Sequence, residues 1–154
     1  DYLPRLVEKC QNTQKSLSLA MIDIDHFKSV NDLCGHAMGD RVILYLSQTL
    51  KNIQNENIRA FRIGGDEFSM LFEGCSTEET YRICEAVRTQ MESCPLRTAN
   101  DERVTLSCGV VCTDPENADL EMLKNAADSA LYAAKNNGRN QVVIYNDLVP
   151  SINR

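Results

Sequence analysis

At 154 residues, 43% of them hydrophobic and 25% charged, the chain has the size and balance of one ordinary globular domain with a single core. Its net charge of −6 excludes a general nucleic-acid binder, which needs a basic face, but not a nucleotide site, because a bound cation reverses the local sign. No apolar run is long enough to cross a bilayer and no secretion signal is present, so the domain is expected to make no membrane contact. A cytoplasmic setting follows, at the cytoplasmic end of a membrane-anchored protein if the whole chain carries an anchor. The seven cysteines are scattered without a C-x-x-C pair and only two histidines accompany them, which argues against structural zinc. They read as reduced, mostly buried small hydrophobes.

In chain order, residues 1–14 predict a helix with Leu3, Leu6, Val7 and Cys10 on one side and Pro4 in its first turn. The chain opens on this helix with no linker, as expected of a domain excised from a longer protein. Residues 16–25 predict a strand whose near-continuous apolar run suits burial on both faces. Asp23 interrupts that run near its C-terminal end, where a carboxylate is costly unless paired or bound to metal. Residues 26–33 predict a short helix broken at Gly35, and residues 39–53 a longer one with Ile43, Leu46, Leu50 and Ile53 at helical spacing.

Two strands follow at 57–63 and 67–72. The Gly64-Gly65 pair between them predicts a tight hairpin turn with positive φ at both glycines and with Asp66 and Glu67 at the tip. Residues 77–91 predict a helix capped by Ser76 or Thr77 and ended by Cys94-Pro95. Residues 103–112 predict a strand in which Gly109 marks a bulge or a close backbone approach. A last long helix at 119–136 stops at Asn137-Gly138; a closing strand at 141–145 and a frayed polar tail at 146–154 complete the chain. Hairpin strands mixed with helical crossovers predict an α+β architecture, helices packed over one mixed sheet.

Three constellations carry potential chemistry. Asp23, Asp66 and Glu67 would meet if their strands are adjacent, forming a divalent-cation site beside a phosphate; the alternative gives Asp23 a backbone partner and leaves the other two solvated. Asn31 and Asp40 offer an amide and a carboxylate that match the edge of guanine, or are ordinary helix caps. Lys135 and Arg139, four apart at a helix end, neutralise either phosphate or the helix dipole, with Lys28 as a third phosphate candidate. Arg62 is assigned to supporting the hairpin.

The octet Phe61-Arg62-Ile63-Gly64-Gly65-Asp66-Glu67-Phe68 resembles the signature of the GGDEF family, the diguanylate cyclases. So do the runs from Met21 to Asp32, from Asn31 to Asp40 and from Asp128 to Asn140, all in family order. The resemblance implies a ferredoxin-like, nucleotide-cyclase palm: a central, mostly antiparallel five-stranded sheet covered by helices. It implies metal ligation by Asp23, the Ile24 carbonyl, Asp66 and, more loosely, Glu67, with Mg²⁺ or in its place Mn²⁺. Asp66, with Glu67 beside it, would serve the attacking 3′-hydroxyl. Asn31 and Asp40 would read guanine, with Phe27, Lys28 and His36 around the nucleotide, and Lys135 and Arg139 would hold the triphosphate. The implied activity condenses two GTP into cyclic di-GMP across a homodimer, under an upstream sensory domain; the alternative is a regulatory module that binds GTP without cyclising it. Two departures stand out. The family's opening D-x-L-T-G-L-x-N-R is reduced to an acid and two leucines in Asp1–Lys9, which bears on how the first helix packs. Asn55 and Ile58 stand where many relatives carry an inhibitory R-x-x-D.

Overall fold

A computed structural model describes residues 2–146, so all but Asn146 of the expected frayed tail lies outside the described residues. The elements run α1 (Tyr2–Thr13), β1 (Leu17–Ile24), α2 (Phe27–Cys34), α3 (His36–Ile53), β2 (Ile58–Gly64), β3 (Glu67–Glu73), α4 (Thr77–Glu92), β4 (Leu106–Thr113), α5 (Leu120–Asn136) and β5 (Val142–Ile144). They build one five-stranded sheet of order β2-β3-β1-β4-β5, antiparallel except for the parallel β4–β5 pair. This is the palm architecture that the resemblance implied.

Strand β1 sits at the centre, which accounts for its apolar run. Alternation sends Ala20, Ile22 and Ile24 to one face, into a core with Val42 and Leu46 of α3 and Cys84, Val87 and Met91 of α4. Leu17 and Leu19 go to the other face, against Leu3, Leu6 and Val7 of α1 and Leu123 and Ala127 of α5. Helix α1 is therefore fully docked on the sheet despite its altered opening block: the four apolar residues expected on its inner side are all buried. All seven cysteines are free and five are buried; burial pushes the Cys75 thiol up to about 11, and a thiol contact with Cys108 together with burial raises Cys84 further from reactivity.

Three expectations need correction. Helix α3 begins at His36, three residues before the Gly39 expected, because Gly35 at φ 88 makes the whole break between α2 and α3 by itself. Strand β4 starts at Leu106 rather than at residue 103, since Arg103 instead forms an isolated bridge back to Arg97. The hairpin turn is centred on Gly65 and Asp66, not on the two glycines: Gly64 pairs with Glu67 after a register shift, and only Gly65, at φ 38, has the left-handed backbone. Ser76 caps α4 as expected, accepting the Glu79 N–H at 3.1 Å.

Candidate active site

The carboxylates meet where the hairpin tip folds onto the end of β1. Asp23 lies opposite Glu67 of β3 and Ser107 of β4, and the Ile24 N–H donates to the Asp66 carbonyl at 3.2 Å. Asp66 is half-buried against Asp23, while Glu67 is exposed. Burial, and next the close Asp23 carboxylate, push the Asp66 carboxyl up to about 6. Asp23 itself is buried; its Oδ2 accepts from the Lys135 ammonium of α5, while its Oδ1 is buried with no partner. Neither the backbone partner for Asp23 nor a purely dipolar role for Lys135 is what the fold provides. Asp23, Glu67, Tyr132 and Lys135 line a cleft of about 250 Å³.

Among the described residues, no three acidic, histidine or cysteine side chains form a closed metal cage. What converges is two carboxylates at the end of β1, with one orphaned buried oxygen. That donor set suits a hard cation that completes its shell with water and substrate phosphate oxygens.

On the far side of β1 the chain turns into α2 and α3, which carry the guanine-reading candidates. Asn31 and Asp40 lie inside these helices, and neither caps one. A methyl group at Gly39 would come 1.8 Å from the Asn31 Oδ1 and 3.3 Å from the Phe27 Cζ, so Asn31 lies across Gly39 beside Phe27. Asp40, His36 and Lys28 are exposed around that arrangement. Arg139 is also exposed, beyond the end of α5 in a left-handed turn at φ 63. Arg62 spans the hairpin, donating from Nε and Nη2 to the Gly65 carbonyl at 3.0 and 2.8 Å, the supporting role expected of it.

The family model for the diguanylate cyclase GGDEF domain matches residues 1–141. The chain belongs to the GGDEF family. It is 36% identical over 142 residues to the diguanylate cyclase DosC of Shigella sonnei, covering 92% of this chain and 31% of that protein. An uncharacterized membrane protein of Staphylococcus haemolyticus is 35% identical over 146 residues, covering 92% of this chain and 41% of that one. The chain thus spans less than half the length of these curated relatives. The crystal structure of the GGDEF domain of DgcB from Caulobacter crescentus, in complex with c-di-GMP, superposes with a TM-score of 0.86 at 32% identity, covering 94% of this chain and 86% of that one. No helix among the described residues is long and apolar enough to cross a membrane.

Within this GGDEF domain, two residues gain a place that sequence reasoning did not give them. Asp25, two residues past Asp23, is buried and accepts three hydrogen bonds; its signal was a second acid at the end of the same strand. Gly39 is the floor under Asn31; the sequence reading placed it only at the start of a helix, and no local signal set it apart. Gly39→Ala is expected to displace the Asn31 carboxamide, the flexible partner in that contact, and to weaken GTP binding about tenfold, the worth of one hydrogen bond. Calorimetric titration with a non-hydrolysable GTP analogue checks this, and an unchanged dissociation constant would remove Asn31 from the nucleotide site.

Proposed function

We propose that this GGDEF domain is a competent catalyst, condensing two GTP into cyclic di-GMP with release of two pyrophosphates across a homodimer. The observation that carries the reading is the buried Asp23 Oδ1 without a partner, beside an Asp66 whose carboxyl is pushed up to about 6. Lys135 neutralises one carboxylate of this pair, and the second charge stays uncompensated until a further cation joins it. Asp23, the Ile24 carbonyl and Asp66 would hold Mg²⁺, with Glu67 at its edge and Mn²⁺ as a substitute. The ion, when bound, supplies charge neutralisation at the reacting phosphate.

The chain's own groups do the rest. Asn31 and Asp40 hold the guanine edge, with Phe27 and His36 closing around the nucleoside, and Asp40 selects guanine over adenine. Lys28, Lys135 and Arg139 draw the triphosphate into line. Asp66, ionised once the cation is bound, would lie where it can take the proton of the 3′-hydroxyl. One copy presents one GTP, so each 3′-hydroxyl must reach the α-phosphate held by a second copy; two such attacks close the ring. Catalysis is then mostly positioning and charge neutralisation. Dimer formation would place the reaction under an upstream sensory domain, with the catalytic domain on the cytoplasmic side.

Incubation with GTP and Mg²⁺ at high protein concentration, with products separated by chromatography and identified by mass, tests this reading. Cyclic di-GMP supports it. Bound but intact GTP supports a regulatory module instead. Feedback through the R-x-x-D position is not expected. The Ile58 side chain is buried, and the Asn55 carbonyl oxygen Oδ1 is already engaged by the Asn57 N–H at 2.7 Å. Asn55→Ala is expected to leave the cyclic di-GMP dissociation constant unchanged, as measured by calorimetry.

A further inference from the structure

Asp25 is buried, 6% exposed, and faces three donors: the Thr105 hydroxyl at 2.7 Å, the Ser107 hydroxyl at 2.6 Å and the Asn140 backbone N–H at 3.0 Å. Its own N–H donates to the Thr105 carbonyl at 2.9 Å. These bonds tie the residue after Ile24 to the segment leading into β4 and to the turn after α5. Around this carboxylate stand three non-glycine residues in the left-handed backbone region: His26 at φ 54, Arg139 at φ 63 and Asn140 at φ 47. Asparagine and histidine tolerate that region, but an arginine there is unfavourable and persists only when its surroundings hold it. The Asn140 side chain is held as well, accepting from Arg88 of α4 at 3.0 Å and donating to Glu92. The Arg139 side chain, in contrast, is exposed, and the point from which it leaves the chain is set by this turn.

We infer that Asp25 is a positioning residue for triphosphate binding: its carboxylate holds the left-handed Arg139–Asn140 turn, and so aims Arg139 at the nucleotide phosphates. The inference rests on the reading that Arg139 meets the triphosphate. The chemistry calls for a carboxylate here. Two hydroxyls and an amide N–H all donate inward, and a carboxylate is the group that accepts all of them without presenting a donor of its own. An asparagine at this position keeps the shape but loses the charge, and its NH₂ group is met only if the Ser107 hydroxyl turns round to accept, so the charge-assisted bonds that hold the turn become ordinary ones.

The test compares GMP with a non-hydrolysable GTP analogue by calorimetry in the wild type, Asp25→Asn, Arg139→Ala and the double variant, with far-UV circular dichroism confirming the fold. Asp25→Asn is expected to weaken the triphosphate about tenfold, one charge-assisted hydrogen bond's worth, and to leave GMP unchanged, because the guanine contacts lie on α2 and α3. In the Arg139→Ala background the same change is expected to do nothing further, since Asp25 acts through Arg139. Equal weakening of GMP and triphosphate, or losses that simply multiply in the double variant, overturns the inference. If Arg139→Ala itself leaves triphosphate binding intact, the reading of Arg139 fails and this inference falls with it. If Arg139→Ala weakens binding and Asp25→Asn does not, the inference alone fails. Should Asp25→Asn not fold, Thr105→Val removes a single donor and makes the same discrimination, with an expected selective loss of about threefold.

Discussion

Asp66→Ala and Asp23→Ala are each expected to abolish cyclic di-GMP formation, with a loss of about 10³-fold or more, while the protein stays folded. The two residues fail for different reasons. Asp23 is the buried anchor: its removal leaves the Lys135 ammonium without its partner. Asp66 sits half-buried at the hairpin tip, and its ionised form is opposed by burial and by Asp23. Without a divalent cation, Asp66 is therefore a source of instability at neutral pH. Its folded value of about 6 lies above the ordinary 3.8, so the folded state binds the proton more tightly. The stability this contributes is fully present below about pH 4 and is lost as pH rises through 6. Solvent screening at this partly exposed position reduces the effect to about 1 kcal/mol. Asp66→Asn should then raise the metal-free melting temperature at pH 8 by about 3 °C while eliminating turnover. Adding Mg²⁺ should stabilise the wild type more at pH 8 than at pH 5, and the variant little at either. Thermal melts across pH, with and without Mg²⁺, give all four values. An Asp66 variant that retains cyclase activity would sink the metal and base assignments together.

The parts of the fold that were legible in the sequence are those dictated by short-range periodicity. The unbroken apolar run of residues 17–24 reads as a strand buried on both faces because each alternate side chain meets a different helical layer. The inner faces of α1, α4 and α5 follow from helical spacing in the same way. Turn details were less legible. Two consecutive glycines permit a turn centred on either, and the register shift between Arg62 and Gly64 moved the centre to Gly65-Asp66. Within the site, local sequence pointed to Asp23 and Lys135 separately, but their pairing spans 112 residues and depends on how α5 lies across β1. The partners of Asp25 are likewise 80, 82 and 115 residues away. Nothing within its own stretch distinguishes a clamped carboxylate from a solvated one. Hydrogen bonds closed by tertiary structure leave no periodic trace.

Gly109→Ala is expected to be the most damaging single-methyl change in the domain. The glycine lies on β4 opposite Met21 of β1 and Val143 of β5, in an unbroken register, so it marks a close approach and not a bulge. A Cβ there would come 2.1 Å from the Leu131 nitrogen, 2.4 Å from the Ala127 oxygen and 2.8 Å from the Ala130 carbonyl carbon. All three are backbone atoms of α5, so no rotamer change relieves the overlap. The helix itself must lift. Ala127, Ala130 and Ala134 are the small buried residues that let α5 lie so low, and lifting it would open voids along them. Overpacking against backbone is expected to cost about 3 kcal/mol or more, lowering the melting temperature by roughly 10 °C. Function should fall further than stability, because Lys135 rides on the same helix and would leave Asp23. Gly138→Ala separates packing from backbone strain: it has open space for a methyl but sits at φ 108, so only strain opposes it and the loss should be near 1 kcal/mol. Urea unfolding of the two variants measures the difference. Equal losses would mean that α5 does not rest on Gly109, and the placement of Lys135 over Asp23 would have to be explained by some other contact.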